Sequence, residues 1–111
     1  MTKSMVIVMA MAVCVGTAAN AAAQDAKAKG EKVYADAKCS LCHSIGDKGN
    51  KKGPLDEVGG KYSADELRQW VVDAKGMTAK TKATRKPDMK NYTLPKDDVD
   101  ALVAYMQTLK K

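Results

Sequence analysis

Two cysteines lie three positions apart in this chain of 111 residues, and the residue directly after the second is its only histidine. Cys39, Cys42 and His43 thus form the pattern C-x-x-C-H. Because five consecutive residues span only a short length of chain, the two thiols and the imidazole stay close together in any fold. The fold must therefore accommodate a site formed by these three side chains.

Several kinds of site contain cysteines at this spacing. A thioredoxin-like redox pair expects a βαβ setting, and the sequence shows no strand pattern. A structural zinc site needs four ligands, whereas only three cysteines and histidines follow residue 23. A plain disulfide remains open in an oxidising compartment. C-x-x-C-H is the signature of c-type haem attachment, in which each thiol adds to one porphyrin vinyl group and the histidine is held under the iron.

The first 23 residues have the layout of a secretory signal peptide. Lys3 precedes an apolar run over residues 5–15, and small residues follow up to Ala23. We expect cleavage after Ala23, with Ala21 as the alternative, so residues 1–23 form the leader and residues 24–111 the domain. An uncleaved anchor remains the other interpretation. The run is shorter than the roughly 17–25 residues that a membrane-spanning helix needs, and we predict no transmembrane segment in the mature chain.

The mature region is poor in residues that fill a core. It contains no phenylalanine and few leucines, isoleucines or valines. At this length it forms one domain, and such small domains commonly require a disulfide, a metal or another staple. A porphyrin would supply the missing apolar material.

Three helices are predicted, with loops over residues 44–60 and 77–93. The first covers residues 25–38, and Gly30 within it suits a close crossing by another helix. The second begins at the capping box of Ser63 and Glu66 and stops at Gly76. The third begins near Pro95 and has a regular apolar stripe.

Over residues 25–111 the sequence resembles the small class I c-type cytochromes, which are bacterial single-haem proteins. The resemblance rests on the C-x-x-C-H motif, on Gly-Pro-Leu at 53–55, and on Met89 before a C-terminal helix containing Leu102 and Tyr105. It implies an all-α cytochrome c fold, with three main helices and ordered loops around one covalently attached haem. The first and last helices would cross, with Gly30 and Tyr34 meeting the last helix.

The resemblance also implies roles for individual residues. Cys39 and Cys42 would form the thioether bonds to one haem c, and His43 would be the proximal iron ligand. The Pro54 carbonyl would accept the other ring N–H of His43. Met89 would be the distal ligand.

Other side chains are weaker candidates for the same site. Met77 is the alternative distal ligand, whereas Met106 fits the apolar stripe of the last helix. Trp70 and Tyr62 could reach the haem propionates, or could simply be core residues with satisfied polar tips.

The net charge of +6 and five basic residues within 77–93 indicate a basic rim near Met89: Lys80, Lys82, Arg85, Lys86 and Lys90. Such a rim would steer a redox partner with an acidic docking surface, although these residues could merely solubilise the chain. Nucleic acid is not expected, because the basic residues lack interleaved aromatics.

A haem with both axial positions filled has no open position for substrate. The resemblance therefore implies a monomeric periplasmic one-electron carrier between respiratory or other periplasmic oxidoreductases, and not an enzyme. The alternative is a permanent haem c subunit of a larger periplasmic dehydrogenase or oxidase complex, which co-purification with a tightly bound partner would reveal.

Overall fold

A computed structural model describes the backbone of residues 17–110 and the side chains of residues 24–110. The elements, in chain order, are α1 (Thr17–Asp36), a 3-10 helix (Cys39–Leu41), β1 (Ser44–Ile45), β2 (Lys48–Gly49), α2 (Val58–Lys61), α3 (Ala64–Val72), α4 (Ala74–Thr81) and α5 (Lys96–Gln107). The described chain is thus mostly helical, as predicted. None of its helices is long and apolar enough to cross a membrane.

The predicted leader falls largely outside this region. Residues 1–16 are not described, and residues 17–23 form the first turns of α1. The expected cleavage site after Ala23 therefore lies within this helix, and cleavage stays a prediction.

Helices α1 and α5 cross at Gly30. A Cβ added there would lie 2.5 Å from Tyr105 Cβ and closer still to the Ala101 carbonyl oxygen. One turn further on, the Tyr34 and Tyr105 rings meet edge to face, with their centroids 6.1 Å apart. The absence of a side chain at Gly30 is what allows the two backbones to approach, and the predicted crossing is confirmed.

Helix α3 begins at the predicted capping box. The Ser63 hydroxyl accepts from the Glu66 backbone N–H at 3.2 Å, and the Glu66 carboxylate accepts from the Ser63 N–H at 3.1 Å. These hydrogen bonds hold the pKa of Glu66 below its ordinary value. The helix then buries Leu67 and Val71 in the core.

The predicted stop at Gly76 is wrong. Helix α3 already ends at Val72, and the Asp73 carboxylate accepts from the Gly76 N–H at 3.2 Å, which caps a new helix, α4. Gly76 therefore lies in the first turn of a helix, and residues 77–81 are helical instead of forming a loop. Aspartate is a favoured N-cap residue, and Asp73 followed by good helix formers is the sequence signal for this helix.

The expectation of no strands is also wrong, on a small scale. Strands β1 and β2 pair antiparallel over two residues each, with Ser44 opposite Gly49. Gly49 has φ of 99° and packs against the His43 carbonyl, where a Cβ would clash. Strands this short carry no periodicity that a sequence pattern could reveal.

The core is a single small cluster of aliphatic and methionine side chains from α1, α3 and α5: Val33, Leu67, Val71, Val99, Leu102, Val103 and Met106. Tyrosines at its margin, including Tyr62 and Tyr92, are only partly buried. This side of the molecule is where the functional site opens.

We predict opposite outcomes for alanine at two glycines. Gly30→Ala forces a methyl group into the α1–α5 contact and should lower the free energy of unfolding by about 1–3 kcal/mol, as overpacking does. Gly60→Ala is the matched control, because a Cβ there meets nothing within 4 Å in helix α2. It should be neutral or stabilise by up to about 1 kcal/mol. Denaturant titration measures both, and equal effects would contradict the close crossing.

Candidate cofactor site

A mainly apolar cavity of about 770 Å³ opens beside the core. Its volume lies within the range of about 300–1,000 Å³ that is typical of small-molecule and cofactor sites. The end of α1, the 3-10 helix, α3, α5 and the segment before α5 all contribute to its walls. Seven of the residues singled out from the sequence line it: Cys39, Cys42, His43, Pro54, Tyr62, Trp70 and Met89.

One wall is the C-x-x-C-H turn. Lys38 adopts a left-handed conformation with φ of 58° just after α1, and the 3-10 helix follows directly. The carbonyl of Cys39 then accepts from the N–H groups of Cys42 at 3.1 Å and His43 at 2.9 Å. This tight turn brings all three side chains to the cavity.

The two thiols are not joined in a disulfide. Cys39 is half-buried and Cys42 is exposed. Burial raises the pKa of the Cys39 thiol, so it stays protonated at neutral pH. Within residues 24–110 no three His, Cys, Asp or Glu side chains cluster so as to hold a metal ion.

The His43 ring is fixed by the backbone of Gly53, since Nδ1 lies 3.0 Å from the Gly53 carbonyl oxygen. A carbonyl can only accept, so Nδ1 carries the proton and the Nε2 lone pair is the one free to bind a metal. Burial lowers the pKa of His43, as does the charge of Arg85, against the opposing effect of this hydrogen bond. The neutral, ligating form of the imidazole is thereby favoured.

The predicted acceptor, the Pro54 carbonyl, is therefore wrong by one residue. Gly53 O also accepts from Ser44 N at 3.1 Å, and Leu55 N donates to Ser44 O at 2.9 Å. Pro54 has no N–H, so this short parallel bridge uses the groups on either side of it. The Gly53 carbonyl is consequently the one turned toward the ring, and Pro54 lines the cavity.

The three methionines after residue 23 occupy different environments. Met77 is buried and does not line the cavity. Met106 lines it from α5 but belongs to the core cluster. Met89 lies half-buried in the loop of residues 82–95, here called the methionine segment, and lines the cavity. Met89 is thus the methionine that lines the cavity without belonging to the packed core.

Hydrogen bonds to the helices fix the end of the methionine segment. The Asn91 side chain accepts from Lys75 N at 2.9 Å, and Tyr92 N donates to Val71 O at 2.9 Å. Burial raises the pKa of Tyr92, whose ring lines the cavity. Met89 therefore lies two residues before a fixed point on α3 and α4.

The indole N–H of Trp70 is buried without a hydrogen-bond partner within the described residues. Leaving such a donor unpaired costs about 1–3 kcal/mol. Trp70 lines the cavity, and its ring meets that of Tyr62 edge to face at 6.3 Å. A cavity ligand bearing carboxylates would supply the missing acceptor, so the residues present fit a haem with its propionates.

Sequence reasoning missed what three residues contribute to this site. Gly53 supplies the carbonyl that accepts from His43. The only sequence signal for this role is that Gly53 directly precedes Pro54, the predicted acceptor. Asn91 anchors the methionine segment, and Arg85 packs against Gly53. The last two contacts join residues far apart in the chain, and no local pattern reports them.

Comparison with known proteins identifies the family. The Cytochrome c family model matches residues 27–110, and the chain belongs to this family. The family implies covalently bound haem c and haem-based electron transfer, and the observed helices agree with its fold. No curated protein and no solved structure gives a significant match.

Proposed function

We propose that this protein is a periplasmic one-electron carrier whose single haem c is attached through Cys39 and Cys42. The observation that carries the proposal is one mainly apolar cavity lined by the C-x-x-C-H turn and by Met89. A bound haem c supplies reversible one-electron exchange between Fe(III) and Fe(II). The chain's own residues attach, orient and shield it.

His43 and Met89 would hold the haem iron as its two protein ligands. The Gly53 carbonyl orients the imidazole and strengthens it as a donor, as partners of metal-bound histidines do. The thioether of Met89 raises the reduction potential relative to a second histidine. With two protein ligands on its iron, the haem would offer no position to a substrate, which favours a carrier over an enzyme.

Trp70, Tyr62 and Pro54 complete the proposed site. The unpaired indole N–H of Trp70 is available to a haem propionate, and Tyr62 packs against the same indole. Pro54 contributes an apolar ring to the wall that carries His43. Each of them limits the access of water, and exclusion of water also raises the potential.

The proposed partner is a redox protein with an acidic docking surface. Basic side chains at the cavity would attract it: Lys38, Lys61, Arg85 and Lys90. Leu41 is 68% exposed at the same cavity and would offer an apolar contact in such an interface. Electron-transfer encounters are typically small and short-lived, and this combination of charge and one apolar group suits them.

The proposed location rests on the leader-like N-terminus, with its basic start, apolar middle and small residues before position 24. N-terminal sequencing of the exported protein tests it. We expect the mature chain to begin at Gln24, or at Ala22 if cleavage follows Ala21, and retention of residues 1–23 would contradict cleavage and a freely diffusing carrier.

We predict that Met89→Leu abolishes the weak long-wavelength absorption band of a thioether–Fe(III) bond in the oxidised holoprotein. The substitution keeps the side-chain volume, so the fold should survive. Met77→Leu is the matched control and should keep the band, because Met77 does not line the cavity. If only the Met77 variant loses the band, the iron ligand is Met77 and the assignment of Met89 is wrong.

We predict that Trp70→Phe lowers the stability of the holoprotein by about 1.5–3 kcal/mol at neutral pH, the usual contribution of a hydrogen bond to a charged group. The indole lowers the pKa of the propionate it bonds, so this contribution is present above the unfolded-state pKa. It should diminish as pH falls and the propionate gains its proton. A loss that is independent of pH would instead report packing alone.

We predict that ionic strength acts in opposite directions on two small oxidants. Oxidation of the reduced protein by anionic hexacyanoferrate(III) should slow as salt is added, and oxidation by a cationic cobalt(III) complex should accelerate. The double variant Lys61→Gln, Lys90→Gln should lower the low-salt rate with the anion by about threefold. The control Lys27→Gln, Lys32→Gln removes the same charge from the exposed face of α1, away from the cavity. If the two double variants lower this rate equally, the cavity lysines serve only to keep the protein soluble.

A further inference from the structure

Arg85 connects the methionine segment to the backbone that holds His43. It lies four residues before Met89, yet its guanidinium packs against Gly53. A Cβ added at Gly53 would lie 2.9 Å from the guanidinium carbon and closer still to one of its terminal nitrogens. Gly53 is the residue whose carbonyl receives the His43 ring N–H. One side chain thus spans the two stretches of chain that present the proposed iron ligands.

The glycine at position 53 is explained by space and not by conformation. Its φ is not in the left-handed region, unlike those of Gly46 and Gly49. Any side chain at this position would occupy the place of the Arg85 guanidinium and would also meet the Cys42 carbonyl oxygen. The rigid constraint is the Cys42 carbonyl, because the guanidinium is the end of a flexible side chain, and the glycine also leaves the space in which that guanidinium lies.

Arg85 forms no ion pair with the described side chains. None of the ion pairs within residues 24–110 involves Arg85, whereas neighbouring Lys86 pairs with Asp88 at 2.9 Å. Arg85 also lines the cavity. A positive charge at this place, not neutralised by a carboxylate, acts on whatever charge develops within the cavity.

We propose that Arg85 is a positioning residue that braces the methionine segment against Gly53 and holds a positive charge beside the His43 side of the cavity, which raises the reduction potential. This inference rests on the proposed function, in which His43 and Met89 ligate the iron. The added positive charge of Fe(III) is disfavoured next to a cation, and Fe(II) is therefore favoured. The guanidinium suits the brace because its head is planar and rigid.

The test is a potentiometric titration of the holoprotein with redox mediators. For Arg85→Gln we expect the equilibrium constant for reduction to fall at least about threefold, equivalent to about 28 mV for one electron. Lys80→Gln is the matched control, since it removes one exposed positive charge from α4, outside the cavity. Its shift should be less than half as large. Arg85→Lys keeps the charge without the planar fork and should fall between wild type and Arg85→Gln.

The absorption spectrum separates this inference from the proposed function. If Arg85→Gln retains its haem and the thioether–Fe(III) band but has the wild-type potential, or shifts no more than Lys80→Gln, the role of Arg85 is overturned and the carrier remains. If the wild-type protein itself lacks attached haem or the band, the proposed function fails. Should Arg85→Gln not accumulate, Arg85→Lys decides: a lowered potential supports the brace, and an unchanged one refutes it.

Discussion

The hydrogen bond between the His43 ring and the Gly53 carbonyl is the contact on which the candidate site depends. Gly53 O accepts both this ring N–H and the Ser44 backbone N–H. The loop that follows the 3-10 helix therefore folds back, so that Gly53 lies against His43 and Ser44. The ring is thereby given one orientation and one tautomer by backbone groups alone. A side chain held this way needs no large surrounding core, which suits a chain with little core material.

The rest of the fold also reflects the small amount of apolar core material in the chain. Helices α1 and α5 approach closely at Gly30, and α3 contributes Leu67 and Val71 to the core cluster. This cluster leaves a cavity beside it that is bordered by partly buried tyrosines and by an unpaired indole N–H. Family membership implies haem c as the occupant, and both the cavity and the orphaned donor are consistent with one.

Much of this arrangement could be predicted from local sequence signals. The capping box at Ser63 is predictable because its two residues are close in the chain. The helix crossing is predictable because only a glycine leaves enough space for it. The stop at Gly76 was predicted wrongly, because a glycine at the end of a periodic stretch resembles a helix terminus. Asp73 instead starts a new helix three residues earlier.

The remaining features could not be predicted because they join distant residues. Whether Gly53 or Pro54 presents its carbonyl depends on how the chain pairs with Ser44, and no spacing rule states that. The contact of Arg85 with Gly53 and that of Asn91 with Lys75 likewise arise only in the folded chain. The residue types predicted where the site lies, whereas the hydrogen bonds that orient its side chains are visible only in the folded structure.

In the function proposed above, Cys39 and Cys42 hold one haem covalently on the wall that carries His43. Mass spectrometry of the denatured, protease-digested protein tests it most directly, because denaturation releases any haem that is merely bound. We expect the peptide containing residues 39–43 to carry the mass of one haem and to have no free thiols. An unmodified peptide with two titratable thiols, from protein made in a host that attaches haem c, would contradict the account.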